Sequence, residues 1–415
     1  MANLSTLASG FSCLADRKFA VYMVANGFSL AGFWVHKVAA GWLTWDLTHS
    51  GTWLGIIAFA DLFPITVLSP VAGVVADRVD RRYLSIVSQL LAMVQALALA
   101  TLVLGGWIGI WSLLGLTVFL GIVYSFNTAA RLAMLPNIVR PQHIASAIAL
   151  NSTIFSVARF VGPALAGWII AVGNVGIAFL FNAITFVFYV LALMRTPVLR
   201  DERAKRGAGG ILRQSTEGFR YARAHPGIGP MLVLLTAMAI GVKCVLELLP
   251  GFADAVYGRG ATGLAQLTSA GGAGALVAAS WLVVRGGVSG LTTETIASLL
   301  AGALAVGVIA STDIFSVGLA AAFLVGIAIT IAGTGTQTLM QNVVEGTMRG
   351  RVMSLYGVIY RGGPAVGALA MGSLSELVGL QWSVAGGAGV ALAAWIWLQR
   401  RRRQTAVALE STPSA

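Results

Sequence analysis

The sequence predicts an all-α polytopic membrane protein with 12 transmembrane helices in two pseudo-symmetric six-helix bundles. Three observations carry that reading. The 415 residues are 57% hydrophobic and only 10% charged, with a mean hydropathy of +0.85, whereas soluble domains run nearer ~25% charged. The apolar residues fall in runs of about 20, the length that crosses a ~30 Å hydrocarbon layer. Lys and Arg concentrate between those runs, mostly on one side, as membrane topology requires. The 50 glycines suit the same class, because small residues let membrane helices approach closely. A transmembrane β-barrel needs alternating strands of ~10 residues in place of unbroken apolar runs.

The first run, Phe19–Trp45, follows Arg17 and Lys18. It exceeds the ~7–15-residue core of a signal peptide and reads as a retained span. Thr52–Ala76, Tyr83–Leu104 and Gly109–Ala130 follow, with a tight turn at Gly105-Gly106. Ile144–Ala171 and Gly176–Met194, joined at Gly173-Asn174, complete the first six. Residues 196–229 then change to Arg, Lys, Gly and acids, a cytoplasmic linker in which Leu212–Ala224 can form an amphipathic surface helix. The second six are Pro230–Phe252, Thr262–Val284, Leu291–Ala310, Ile314–Gly335, Val352–Val378 and Trp382–Leu398. Residues 1–18 form a cytoplasmic N-terminus, 19–195 and 230–399 the two bundles, and 400–415 a basic cytoplasmic tail. Gly271-Gly272-Ala273-Gly274 reads as a helix-packing face, since no strand precedes it as a phosphate loop requires.

All but five of the 27 Lys and Arg residues fall in segments assigned to one face. Arg259 lies opposite, and Lys37, Arg159, Lys243 and Arg361 lie inside spans. This asymmetry places both termini in the cytoplasm of a multi-pass protein of the cell (inner) membrane. The net charge of +12 sits at span ends and not on one aromatic-rich face, which argues against nucleic-acid binding. Cys13, Cys244 and four scattered histidines (His36, His49, His143, His225) show no metal-ligand spacing and no disulfide pattern. No catalytic constellation, cofactor motif or nucleotide motif is present, so the reading is of a monomeric non-enzyme, without cofactor, driven by a gradient.

A weak internal repeat supports duplication. Leu135-Pro136-Asn137-Ile138-Val139 matches Met340-Gln341-Asn342-Val343-Val344, 205 residues on. Each leads into a span with an arginine before Gly-Pro: Arg159 before Gly162-Pro163, and Arg361 before Gly363-Pro364. Proline inside a span frees a carbonyl and permits a bend.

Gly73-Val-Val-Ala-Asp77-Arg78-Val-Asp80-Arg81-Arg82 resembles the charged loop motif that the major facilitator superfamily carries between its second and third helices. Three further stretches resemble the enterobactin-exporter-like group of proton-driven efflux proteins. They are Gly41 to Ser50, Ala149-Leu150-Asn151-Ser152 continuing to Gly167, and Arg349-Gly350-Arg351-Val352-Met353-Ser354. The resemblance implies a conformational latch built from Gly73, Asp77, Arg78, Arg81 and Arg82, with Gly73 letting the second span approach its neighbour. Arg131 and the loop residues Glu345, Arg349 and Arg351 are the implied partners or counterparts. The resemblance also associates Gly162 and Pro163 with antiport, and Gly363 and Pro364 occupy the repeated position. The chain departs from the pattern at Asp80, at the charge-poor loop Arg285–Gly290, and at His36-Lys37.

A charge at the centre of a span costs ~2.5–3.5 kcal/mol on insertion scales, so each is a functional candidate. Lys37 and Asp61 fall at similar depth on adjacent spans and are expected to pair. Lys243 and Glu247 are i,i+4 and can pair along one helix face. Asp61 and Glu247 are the deep acids and hence the proton-coupling candidates. Trp34, His36, Lys37, Arg159, Lys243 and Arg361 are the substrate-cavity candidates, and their excess of cations favours an anionic ligand. Of Trp34, Trp42, Trp45, Trp53, Trp107, Trp111 and Trp168, several lie near span ends and read as interfacial anchors, and Trp34 and Trp42 are the ones expected to meet an aromatic or apolar solute. The expected function is proton-coupled export of a small organic solute by rocker-switch alternating access, leaning to an anionic metabolite, siderophore or drug. Alternatives are a flippase, an uptake carrier, or a non-transporting sensor or scaffold. The expected partners are that solute, protons and the lipid bilayer.

Overall fold

Charges and glycines cut the chain into helices close to where the apolar runs end. The computed structural model describes residues 16–196 and 211–410, and all regular structure among them is helical. In chain order the helices are α1 (Arg17–Thr48), α2 (Gly51–Arg78), α3 (Arg81–Leu104), α4 (Ile110–Met134), α5 (Ile144–Val172) and α6 (Val175–Arg195). After the linker come α7 (Ile211–Ala224), α8 (Ile228–Val256), α9 (Gly260–Arg285), α10 (Leu291–Ser311), α11 (Phe315–Val343), α12 (Gly346–Val378) and α13 (Leu380–Glu410). Cys13 and the first and last residues of the chain lie outside the described residues, as does most of the linker before α7.

Ten of these helices, α1 to α6 and α8 to α11, are long and apolar enough to cross a membrane. Against the expected twelve, the other two long helices match by length alone: α12 has 33 residues and α13 has 31. Both are less apolar, because α12 carries Arg349, Arg351, Arg361 and Glu376 and the apolar part of α13 is diluted by glycine.

Local chemistry sets the ends. The Asp16 carboxylate accepts from the Lys18 amide at 2.9 Å and starts α1. Asp80, the departure from the family pattern, caps α3 by accepting from the Tyr83 amide at 3.0 Å. Asn174 caps α6 through the Ile177 amide at 3.2 Å. Such caps satisfy amide donors that have no partner within the helix. Gly379, at φ 86°, separates α12 from α13 in backbone that L side chains rarely adopt.

The described residues divide into two units, one of residues 16–43 and 67–196, the other of 44–66 and 211–410. The end of α1 and the start of α2 therefore belong with the second half of the sequence. In the first unit, α3 packs on α4 and α6. Phe19, Tyr22, Met23, Met134, Tyr189 and Leu193 form a buried cluster. Its centre holds the Tyr22 and Tyr189 hydroxyls 3.2 Å apart. In the second unit, α11 packs on α9 and α10. A Cβ at Gly274 would overlap the Phe323 carbonyl, and one at Gly326 would overlap that of Gly271. The glycine run is thus a packing face, where van der Waals contact between backbones drives association in lipid.

Candidate functional site

Helix α8 is interrupted by two π-turns, Ala239–Lys243 and Phe252–Val256, a distortion frequent at functional sites. The first turn carries Lys243 to α12. Its Nζ donates to the Tyr360 carbonyl at 2.8 Å and lies 3.7 Å from the centroid of that ring, within cation–π range. Tyr356 stacks on Tyr360 with centroids 5.5 Å apart and an interplanar angle of 10°. The Tyr356 hydroxyl donates to the Gly333 carbonyl at 3.2 Å. Gly363 and Gly367 bring α12 against the same turn, where added Cβ atoms would meet Ala239 Cβ at 2.6 Å and the Ile240 carbonyl at 2.8 Å. From this π-turn the Lys243 ammonium engages α12, and Glu247 follows one turn later on the same helix. Arg361 follows Tyr360 but is exposed, and neighbouring Gly362 packs on Thr66 of α2.

The second π-turn presents Asp254, whose carboxylate accepts from Trp45 Nε1 at 2.9 Å. Trp45 is only 6% exposed, so it is a buried docking residue and not the interfacial anchor expected of it. Trp107, Trp111 and Trp168 are exposed, as anchors would be. Around Trp45, the tip of the α1–α2 hairpin lies on α12. Ser50 Oγ donates to Glu376 at 2.5 Å, and Thr52 Oγ1 donates to the Gly372 carbonyl at 3.2 Å. A Cβ at Gly55 would meet the Ala368 carbonyl at 2.5 Å. His49, at the turn, has φ 48°.

In the first unit, α1 runs between α5 and α6. An added Cβ at Gly162 would meet Trp34 Cβ at 2.5 Å, and one at Gly32 would meet Asn182 Oδ1 at 2.7 Å. Trp34 meets Phe33 and Phe155 edge-on, with centroids 5.6 and 6.1 Å away. The Arg159 guanidinium lies 5.7 Å from the centroid of Trp34. His36 points elsewhere, edge-on to Phe179 at 5.0 Å. Helix α5 continues through Pro163, and α12 through Pro364. Lys37 belongs to the first unit and Asp61 to the hairpin segment of the second.

Several residues of the charged loops have local partners. Asp77 pairs with Arg81 of the same loop at 3.3 Å. Arg82 donates to the Met194 carbonyl of α6, and Arg78 is exposed. Gly73 was expected to permit a close helix approach, yet a Cβ there would meet nothing within 4 Å. Arg131 reaches Asn26 at 3.4 Å, and Asn26 in turn donates to Asn151 at 3.1 Å. Arg349 donates to the Gln341 carbonyl at 3.4 Å, and Glu345 stands at the start of α12. Arg351 forms a 2.6 Å ion pair with Glu217 of α7.

The loop from Arg285 to Gly290, poor in charge, is nonetheless tied by it. Arg285 Nε donates to Glu294 at 2.9 Å, and Nη1 to the carbonyl oxygens of Gly286 and Gly287 at 3.2 and 3.0 Å. Glu410 closes the loop by accepting from the Gly290 amide at 2.6 Å and the Thr292 amide at 2.9 Å. Glu217, Glu294, Asp254, Glu410 and Tyr360 were not singled out from sequence. For the four acids the available signal was that acids are so few in this chain.

Among the described residues, no group of three His, Cys, Asp or Glu side chains is placed to hold a metal. The family model for transmembrane secretion effectors matches residues 8–415. The staphyloferrin A transporter of Staphylococcus aureus (strain NCTC 8325 / PS 47) is 31% identical over 172 residues. That stretch is 41% of this chain and 43% of the relative, less than half of either. The multidrug efflux pump Tap of Mycolicibacterium fortuitum is 26% identical over 367 residues, 84% of this chain and 87% of Tap. A variant of the nucleoside transporter NupG has the same fold, with a TM-score of 0.72 at 11% identity over 92% of this chain and 99% of that one. Whole-chain coverage, helical architecture and the charged loop after α2 agree: the chain belongs to the transmembrane secretion effector family of major facilitator transporters.

Proposed function

We propose that this protein is a proton-coupled exporter of a small organic solute, working as a monomer in the inner membrane with both termini cytoplasmic. The observation that carries the reading is the retention of ionisable groups within apolar spans: Asp61 in α2 and Lys243 and Glu247 in α8. Such groups are costly in hydrocarbon and mark pathways for ions or substrate. Lys243 sits on a π-turn against an aromatic pair, a place where the helix is distorted to present it. Relatives named for siderophore transport and multidrug efflux support an organic cargo. The excess of intramembrane cations over acids supports an anionic one.

In this mechanism residues 19–195 and 230–399 rock about the cargo, and the Asp77–Arg81 loop is remade between states. Asp61 or Glu247 takes a proton on the outer side and gives it up inside, so that cargo and proton move in opposite directions. The test is flux in liposomes containing the full chain, with an imposed pH gradient and a panel of labelled organic anions, neutral solutes and cations. Gradient-driven efflux is expected in the wild type, and Asp61→Asn or Glu247→Gln abolishes its dependence on the gradient. Flux that ignores the gradient, or coupling that survives both substitutions, overturns the proposal. Gradient-driven movement in the same direction as protons establishes uptake instead.

A further inference from the structure

The ring of Trp34 carries an unused polar atom. Its Nε1 is buried and meets no hydrogen-bond acceptor among the described residues. A buried donor left unmet is costly, and such groups in native proteins call for an explanation. The position of the ring is not accidental. Gly162 of α5 lies flush on the Trp34 Cβ, while Phe33 and Phe155 meet the ring edge-on at 5.6 and 6.1 Å. Neighbouring Phe33 is itself held edge-on by Tyr124 at 5.4 Å. On the same indole stands the Arg159 guanidinium, 5.7 Å from the ring centroid.

A buried N–H donor and a guanidinium on one ring, set among aromatic edges, suit a ligand with one anionic acceptor group and an apolar body. We propose that Trp34 and Arg159 form a subsite for the carboxylate of an aromatic or apolar solute. One carboxylate oxygen accepts from Trp34 Nε1, the guanidinium neutralises the charge, and Phe33 and Phe155 contact the solute body. A cationic solute is disfavoured by the guanidinium, and a neutral one forgoes the charge-assisted bond. The subsite rests on the transport reading for its purpose, but its existence as a binding site is tested separately.

The test is equilibrium binding of labelled 2-naphthoate and its neutral twin 2-naphthamide to the full-length protein in lipid nanodiscs. The acid is expected to bind at least tenfold more tightly than the amide. Trp34→Phe keeps an aromatic ring but removes the donor, and should weaken acid binding by roughly tenfold, the value of one hydrogen bond to a charged group, while weakening the amide less, since its oxygen accepts only a neutral bond. Arg159→Gln should erase the preference for acid, and Arg159→Lys should retain most of it. Trp107→Phe, at an exposed ring, serves as a control and should change neither affinity. If Arg159→Gln fails to fold, the Trp34→Phe comparison carries the test alone. Equal affinity for acid and amide, acid binding unaffected by Trp34→Phe, or no binding of the acid by the wild type each overturns the subsite. Acid-selective binding that depends on Trp34 without gradient-driven flux would uphold the subsite and sink proton coupling.

Discussion

The first hairpin docks on α8 and α12 through polar contacts, and the one to α8 can be removed cleanly. Trp45→Phe deletes the Nε1–H that donates to Asp254 at 2.9 Å while keeping an aromatic ring in a buried position. A hydrogen bond to a charged group is worth about 1.5–3 kcal/mol, and 1.4 kcal/mol is a factor of ten in an equilibrium. The undocked population of the tip should therefore rise at least about tenfold. Ser375 reports on this, because its Oγ lies against Gly51 of the tip. With Cys13 replaced by serine and buried Cys244 left in place, Ser375→Cys can be labelled with a membrane-impermeant maleimide in liposomes. Labelling that requires undocking proceeds in proportion to the open fraction, so Trp45→Phe should speed it about tenfold. Trp107→Phe, at an exposed ring far from this contact in sequence, should leave the rate unchanged. A labelling rate for Trp45→Phe within twofold of the parent would refute the reasoning, since the bond would then not be holding the tip.

Three further outcomes follow from contacts elsewhere. Gly326→Leu forces a side chain into the Gly271 carbonyl and should abolish recovery of monodisperse protein from membranes, whereas Gly307→Leu, with nothing within 4 Å of its added Cβ, should be tolerated. Glu410→Ala removes the acceptor for the Gly290 and Thr292 amides; at about 0.5–2 kcal/mol for a helix cap, hydrogen exchange over residues 288–293 should quicken roughly two- to thirtyfold, with Glu410→Gln intermediate. His225 Nδ1 accepts from the Gly227 and Ile228 amides at 3.1 and 3.2 Å, and partial burial lowers the pKa of the ring from its ordinary value. The fold thus prefers neutral His225, and the unfolded joint binds a proton first. Its stabilisation is present above the ordinary histidine pKa of about 6.5 and is lost as pH falls through the depressed value. Exchange at the α7–α8 joint should accelerate on acidification across that window and become insensitive to it in His225→Ala.

The helical class and most element ends were legible in the sequence because lipid imposes one-dimensional rules. Apolar length, charge placement and caps such as Asn174 act over a few consecutive residues, so Gly105-Gly106 and Gly173-Asn174 could be read as turns directly. The glycine run at Gly271 could be read as a packing face for the same reason, although its partner Gly326 could not be named. Partners were the limit. In the charge-poor loop the fold brought Arg285 the carboxylate of Glu294 and, from the far end of the chain, brought the Gly290 amide that of Glu410. Trp45 looked like an anchor until α8 turned Asp254 towards it.

Helix regularity was a second limit. A regular helix has about 3.6 residues per turn, and the π-turn at Ala239–Lys243 cannot be seen in a run of apolar letters. At that turn α12 and α13 approach α8 closely through Gly363, Gly367 and Gly387, which is a property of the packed bundle. The amino-acid sequence by itself determined that this is a polytopic helical membrane protein with a charged loop after its second span, since insertion energies depend on local composition. Only the tertiary structure decided that the first hairpin belongs with the second half, and that the Arg159 guanidinium lies over the ring of Trp34. Those facts depend on side chains far apart in the chain meeting across helix faces, where backbone approach, and not composition, sets the contact.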